Sequence, residues 1–309
     1  MGMDGWYRRA VLRAADREPV RRLLESRGMG WGVERFVAGH TLQEALEQVR
    51  RLQDQGLLVT LDLLGESVRE RAQAEEVCRA ILHMQDEIRR LGLQAHVSLK
   101  LSQLGLLIDE AVCAEQMEQI AGRAAALGQF VRIDMEDSSL TAPTLELFEH
   151  LLSRHGSGHI GVVIQSYLRR SYNDVDRLTK LGANLRIVKG AYREPPAIAY
   201  PDKRDVDAAY LRLVQLCLDR GTYVAAATHD SRLIREIIRR IHSSGITPDR
   251  FEFQMLYGIA GALQRQLAGE GYRVRIYTPY GEQWYPYFSR RIAERPANLW
   301  FVLKNLLRP

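Results

Sequence analysis

The chain has 309 residues, with 43 Lys and Arg against 38 Asp and Glu, a formal net charge of +5 and a pI near 9.1. With 46% hydrophobic and 26% charged residues, the composition is that of a globular protein and excludes disorder, collagen and coiled coil. The longest apolar stretches run to about ten residues, short of the ~20 that a membrane-spanning helix needs. No apolar leader with a small-residue cleavage site opens the chain, so the expectation is a cytoplasmic protein. Cys78, Cys113 and Cys217 are widely spaced in helix-like segments and read as buried reduced thiols. The densest basic segment, residues 6–27, is interrupted by Asp16, Glu18 and Glu25. It reads as a solvated helix face, and no groove-reading motif accompanies it, so nucleic acid is not expected as a partner.

In chain order, residues 1–56 read as a helical segment packed on the bottom or side of the main fold. The string Gly28-Met-Gly-Trp-Gly32 follows helical sequence and reads as a loop, not as a dinucleotide phosphate turn, which would follow a first strand. From residue 57, eight β-rich runs alternate with longer amphipathic ones. They are 57–63 (LLVTLDL), 96–101 (HVSLKL), 130–135 (FVRIDM), 160–165 (IGVVIQ), 185–189 (LRIVK), 223–228 (YVAAAT), 251–256 (FEFQML) and 273–277 (RVRIY). Between them, residues 67–91 and 206–218 carry apolar side chains at helical spacing. Strands alternating with helices imply right-handed crossovers and parallel pairing. Eight units in roughly 250 residues are the count that closes a (βα)8 TIM-type barrel. The expected fold is therefore α/β, with N-terminal helices, a catalytic barrel over 57–309 and a final helix crossing the barrel mouth, in a single domain overall. No phosphate-loop motif, HExxH string or close Cys/His set is present, so a metal site is not expected.

Catalytic groups of such barrels sit at the C-terminal ends of the strands, with strand interiors expected to be apolar. The strand ends here are Asp62 to Glu66, Lys100, Asp134 to Asp137, Gln165 to Tyr167, Arg186 to Tyr192, Thr228 to Asp230, Gln254 to Leu256, and Tyr277. Any single one is explained by strand ends meeting water; the convergence of all eight on one cavity is what points to a site. Beyond the last strand, Tyr287, Arg291 and Glu294 share a helix face, and Arg290 is spaced to pair with Glu294. Adjacent Arg290 and Arg291 lie about 100° apart on that helix, close enough for both to reach one carboxylate.

These strings resemble the proline dehydrogenase family. VTLDLLGE (59–66), SLKLSQLG (98–105), RIDMED (132–137), IQSYLRR (164–170), LRIVKGAYRE (185–194), ATHD (227–230), FEFQMLYG (251–258) and YFSRRIAERPAN (287–298) occur in the family's order from about Arg35 onward. The likeness is to the small single-function bacterial branch, and RIVKGAY followed by SRRxxE is its most specific combination. The resemblance implies a (βα)8 flavoenzyme binding FAD that oxidises L-proline to Δ1-pyrroline-5-carboxylate, passes hydride to flavin N5 and hands electrons to a membrane quinone. A separate pyrroline-5-carboxylate dehydrogenase would act downstream, in the degradation of proline to glutamate.

By the same resemblance, Arg290 and Arg291 match the clamp on the substrate carboxylate, whose burial unpaired would be very costly. Glu66 matches an acidic partner of that clamp, and Glu294 lies on its helix. Lys100 matches a substrate-contacting lysine and Asp134 an acidic group beside it, either as an ion-paired couple or with Asp134 assisting loss of the imino proton. Tyr277, Tyr287 and Leu256 match walls of a slot for a five-membered ring, with Tyr192 as a further lining residue. The flavin set is Met135, Gln165, Arg186, Lys189, Gly190, Ala191, Thr228 and His229, with Arg186 stabilising reduced flavin. Gly190 and Ala191 would allow close backbone approach to the cofactor, while Lys189, Thr228 and His229 would serve pyrophosphate and ribose. Residues 299–308 (LWFVLKNLLR) read as a helix packed on the barrel, with peripheral contact to the inner face of the cell membrane as the alternative. Two other readings stay open: a Schiff-base lyase using Lys100 or Lys189, and a non-catalytic barrel binding an anion at a basic mouth.

Overall fold

The computed structural model describes residues 17–18, 33–65 and 67–294. The basic segment at 6–27 apart from Arg17 and Glu18, the glycine string at 28–32, Glu66 and the segment at 299–308 lie outside the described residues, as does the Glu294 side chain.

Eight parallel strands close on themselves in sequence order, β1 (Leu58–Leu63), β2 (Ala95–Leu99), β3 (Val131–Ile133), β4 (Ile160–Gln165), β5 (Asn184–Val188), β6 (Val224–Ala227), β7 (Phe251–Leu256) and β8 (Val274–Tyr280). Closure is made by β1 and β8, which pair from Leu58↔Arg275 to Leu63↔Tyr280. Helix α1 (Leu42–Gln53) precedes β1, and α2 (Arg71–Arg90), α3 (Glu110–Leu127), α4 (Thr141–His155), α5 (Ser171–Lys180), α6 (Lys203–Asp219), α7 (Ser231–Ser243) and α8 (Gly261–Gly269) follow the first seven strands. The fold expected from the alternation is the one observed.

Each helix lays an apolar stripe on the barrel wall. On α2 the stripe is Ala74, Cys78, Ile81, Met84 and Ile88, at the three- and four-residue spacing that keeps side chains on one face. The matching strand face carries Val59, Leu61, Val97, Leu99, Val131, Ile133, Leu185 and Ile187, all buried in the same core. Local chemistry sets the helix starts: Thr41 and Glu44 form a capping box on α1, and Asp230 accepts from the Arg232 backbone at the start of α7. The three cysteines are buried and free.

Two expectations need correction. Strand β8 does not stop at Tyr277 but runs to Tyr280, so Tyr277 lies within the strand, opposite Thr60. The barrel interior is also not apolar. Alternate residues on the inner face, among them Thr60, Ser98, Arg132, Asp134, Arg186, Glu252, Gln254 and Arg275, are buried and polar. Toward the N-terminal end of the barrel, Arg275 Nε donates to Glu252 Oε1 at 2.8 Å and its Nη1 to the Val59 carbonyl at 2.8 Å. Arg132 donates to the Asn184 carbonyl at 2.6 Å and to Asn184 Oδ1 at 2.5 Å. Burial holds its guanidinium down to about 9 and holds the His96 imidazole well below its ordinary value.

After β8 the chain turns into α9 (Tyr285–Glu294). Trp284, Tyr285, Tyr287, Phe288 and Ile292 form a second apolar cluster with Val33, Phe36, Val37 and Leu64. Because Leu64 directly follows β1, this cluster fixes α9 at the C-terminal face of the barrel.

The Glu252–Arg275 pair is a test of the polar interior. Burial raises the Glu252 carboxyl, but Arg275 outweighs it and holds the group far below the usual carboxylate range. A depressed carboxylate contributes stability above its unfolded-state pKa and loses it as pH falls through the folded one. Glu252→Gln leaves Arg275 buried without a counter-ion, so urea unfolding at pH 7 should show a loss of about 3–5 kcal/mol. That loss should shrink as the pH is lowered below 4.

Candidate active site

At the C-terminal end of the barrel the inward side chains of β1, β2, β3, β5 and β8 form one connected polar network. Arg186 is its hub. Its Nη1 donates to Asp134 Oδ1 at 2.7 Å and its Nη2 to Ser98 Oγ at 3.0 Å. The Tyr277 hydroxyl donates to the other oxygen of Asp134 at 2.7 Å, and the Arg186 guanidinium lies 5.4 Å from the Tyr277 ring centre. Ser98 Oγ continues to Thr60 Oγ1 at 3.4 Å. Lys100 Nζ donates to both carboxylate oxygens of Asp62, at 3.1 and 3.2 Å. Strand periodicity explains the convergence: Asp62, Ser98 with Lys100, Asp134 and Arg186 all sit in the inward phase of their strands.

This arrangement corrects the expected Lys100–Asp134 couple. Asp134 belongs to Arg186 and Tyr277, and the direct partner of Lys100 is Asp62. Burial disfavours the Lys100 ammonium, but Asp62 and Asp134 outweigh it, and its pKa lies above that of an ordinary lysine. Burial also lifts the Tyr277 phenol well above its ordinary value, with Asp134 and Asp62 adding to the shift. Both are therefore protonated donors at neutral pH.

Above the network stands Tyr192, 40% exposed. Its phenol is pushed up to about 12, first by burial, and it feels the charges of Glu136, Lys100, Arg290 and Asp134. One side chain thus senses both the barrel-end network and the exposed Arg290 of α9, which brings the helix to the same opening. The Arg291 guanidinium lies 5.1 Å from the buried Tyr287 ring, so the two share a face as their spacing predicts. Leu256, at the end of β7, is half-buried.

The second group lies at the ends of β4, β5 and β6. Lys189 Nζ contacts Asp207 at 2.7 Å and Asp230 at 3.4 Å, and Lys203 and Arg232 meet the same two carboxylates. Three cations against two anions leave one positive charge over. The His229 Nε2 accepts from the Leu256 backbone N–H at 2.9 Å, and Thr228 Oγ1 accepts from the Asp230 N–H at 3.1 Å. Gln165 is buried and donates to the Glu136 carbonyl at 2.7 Å, beside the buried Met135. Gly190 is required by the backbone and its neighbour alone: its φ is +118°, and a Cβ there would overlap the Tyr167 ring. Ala191 is exposed, and its N–H points to Gln165 Oε1 at 3.4 Å.

Four site residues carry no role in the sequence reading: Asp62, Ser98, Glu136 and Glu194. Glu136 accepts from the Ser102 N–H at 3.0 Å and its hydroxyl at 2.5 Å. Glu194 accepts from the Ser138 N–H at 2.7 Å and its hydroxyl at 2.8 Å. These carboxylates tie the loops after β2, β3 and β5 to one another, which rigidifies the mouth. Their signal was the same inward phase for Asp62 and Ser98; for Glu136 and Glu194 no local pattern announces the partner.

Among the described residues, buried Arg186 Nε has no acceptor. An unsatisfied buried donor is costly, and a ligand acceptor placed over Arg186 relieves it. With the surplus positive charge around Lys189, the donor set suits an anionic cofactor whose ring carries hydrogen-bond acceptors and gains negative charge on reduction, so the residues fit FAD. Among the described residues, no group of His, Cys, Asp and Glu could hold a metal ion, and no helix is long and apolar enough to cross a membrane.

A closed (βα)8 barrel with ionic side chains converging at its C-terminal face defines an enzyme of the barrel class. The particular family follows from comparison with known proteins. The family model described as proline dehydrogenase matches residues 45–304. The chain is 44% identical to a proline dehydrogenase of Deinococcus radiodurans over 99% of each chain. It is 39% identical to proline dehydrogenase 1 of Bacillus subtilis (strain 168), over 97% of this chain and 99% of that one. The crystal structure of proline utilization A from Bdellovibrio bacteriovorus, inactivated by N-propargylglycine, superposes with a TM-score of 0.80 at 26% identity. That match covers 85% of this chain and spans 32% of the other. The chain belongs to the proline dehydrogenase family, oxidoreductases acting on proline in its catabolism.

Gly190→Ala should lower Tm by a few degrees, because the new methyl must displace Tyr167 and the left-handed φ costs about 1 kcal/mol or more. Thermal unfolding followed by circular dichroism checks this, and Ala191→Gly, at the exposed neighbour, should move Tm far less.

Proposed function

We propose that this chain oxidises L-proline to Δ1-pyrroline-5-carboxylate, with FAD as resident cofactor taking up hydride from C5 at N5 and passing the electrons to a membrane quinone. Family membership over 260 of the 309 residues, counted as 45 through 304, carries the reading. The polar network at the barrel mouth supports the division of labour.

Arg290 and Arg291 would grip the substrate carboxylate from α9, with Glu66 and Glu294 as their acidic neighbours. Planar forked donors suit that task better than a lysine. Lys100, held charged by Asp62, would supply a third cation from the barrel floor. Tyr277, Tyr287, Leu256 and Tyr192 would wall the slot and exclude water from the ring. Arg186, with its unsatisfied Nε, would face the isoalloxazine, while its bonds to Asp134 and Ser98 fix its plane. Asp134 already accepts from Arg186 and Tyr277. Both of its oxygens are thus engaged by donors fixed on other strands, which favours an anchoring role over that of proton acceptor. Met135, Gln165, Gly190 and Ala191 would back the cofactor, and Lys189, Thr228 and His229 would meet its pyrophosphate and ribose.

The lyase alternative requires a neutral amine on Lys100 or Lys189. Lys100 is instead held protonated by two carboxylates, and Lys189 is engaged by Asp207 and Asp230. Both observations weigh against it.

Purified protein should be yellow with flavin absorption bands; a colourless protein that FAD does not reconstitute, and that borohydride traps with a carbonyl substrate, would overturn the reading in favour of the lyase. Replacing Arg290 or Arg291 with Met should raise KM for proline about 10- to 100-fold with flavin still bound. That range corresponds to loss of a charge-assisted pair of about 1.5–3 kcal/mol. Arg186→Ala should instead slow flavin reduction more than it weakens proline binding, read by stopped-flow absorbance.

A further inference from the structure

We propose that Asp62 is a positioning residue of the substrate pocket, anchoring the Lys100 ammonium at the barrel opening. The pair is asymmetric in a way that makes one partner the base and the other the tip. The Asp62 side chain is 1% exposed, whereas that of Lys100 is 21% exposed. Both Asp62 oxygens lie within hydrogen-bond distance of Nζ, at 3.1 and 3.2 Å. An ammonium has three N–H donors, so this contact leaves one for a ligand. A lysine stem is otherwise flexible, and a fixed tip spares a ligand the cost of ordering it.

Asp62 sits on β1 with Ser98 opposite on β2 and Pro279 opposite on β8. Among the described residues, the titratable groups that face it are Lys100 just beyond β2, Asp134 beyond β3, and Tyr277 and Tyr280 from β8. Lys100 is the sole cation among them, and burial raises the Asp62 carboxyl against it. Neutralising Asp62 therefore removes the direct anchor of Lys100 and leaves only the more distant attraction of Asp134. The use of Lys100 on proline rests on the functional reading above; its anchorage by Asp62 does not.

The chain has five lysines, Lys100, Lys180, Lys189, Lys203 and Lys304, few enough to resolve individually after reductive methylation with 13C-formaldehyde. The flavin-loaded protein is titrated by NMR, and Lys100→Met assigns the Lys100 resonance. In Asp62→Asn the Lys100 midpoint should fall by about one pH unit or more; an unchanged midpoint overturns the anchorage. In steady-state assays Asp62→Asn should raise KM for proline about tenfold, yet add nothing in a Lys100→Met background. Additive effects would show that Asp62 does not act through Lys100 and would overturn the proposal. If the wild-type protein oxidises no proline, the functional reading fails while the NMR arm still decides the anchorage. Should Asp62→Asn not fold, Asp62→Glu keeps the charge but displaces it by a methylene; it should raise KM with the Lys100 midpoint kept high, and unchanged KM overturns the proposal.

Discussion

The bidentate hold of Arg186 on Asp134 and Ser98 is the interaction on which the rest of this molecule depends. A guanidinium inside a closed barrel must find acceptors, because an isolated buried charge is very expensive. Here the acceptors come from β2 and β3, so satisfying one side chain aligns three strands. Asp134 then recruits the Tyr277 hydroxyl from β8, and Asp62 on β1 holds Lys100 from β2. Four ionic groups, two of each sign, thus share the upper barrel in balance. These contacts are made between side chains of the barrel itself, which is the condition for preorganised stabilisation of developing charge.

The frame continues outward through backbone contacts. Glu136 holds Ser102, Gln165 holds the Glu136 carbonyl, and Glu194 holds Ser138. Loops carry the functional groups of barrel enzymes, yet loops are the mobile part of a fold. Carboxylates that accept paired N–H and hydroxyl donors convert these loops into extensions of the strands. The alternative, leaving Ser102 and Ser138 to water, would let the residues between them drift relative to Arg186.

The fold was legible because the strand runs were short, apolar on one phase and evenly spaced by helical stretches. FEFQML and IGVVIQ coincide with their strands in full. What escaped was the second phase of the same strands. The run RVRIY was read as a β-rich strand ending at Tyr277, but within the strand its Arg275 and Tyr277 alternate with Val274 and Ile276. That pattern marks an inner face that is polar, and the strand continues because its pairing with β1 extends to Leu63↔Tyr280. Partner identity was not legible at all: a lysine in sequence between Asp62 and Asp134 offers no means of choosing between them. Strand register makes that choice, because it is a property of three strands and not of one.

The same logic explains why the two strand-end lysines are not equivalent, although both close a β-run. Lys100 projects from the barrel floor toward the opening, with one fully buried acid beneath it and a surface from which a ligand can approach. Lys189 lies in a lattice of three cations and two acids that reaches out along α6 and α7 through Lys203, Asp207, Asp230 and Arg232. A ligand at Lys100 meets a single fixed donor, which suits one carboxylate of a small molecule. A ligand at Lys189 meets a spread of exchangeable ion pairs, which suits the several oxygens of a diphosphate. In the first case specificity would come from geometry; in the second, affinity would come from replacing the acids by a ligand of higher charge. On the proposed reading, separating those two tasks onto different strands would let a small-substrate pocket stay neutral and rigid while a cofactor end stays open and electropositive.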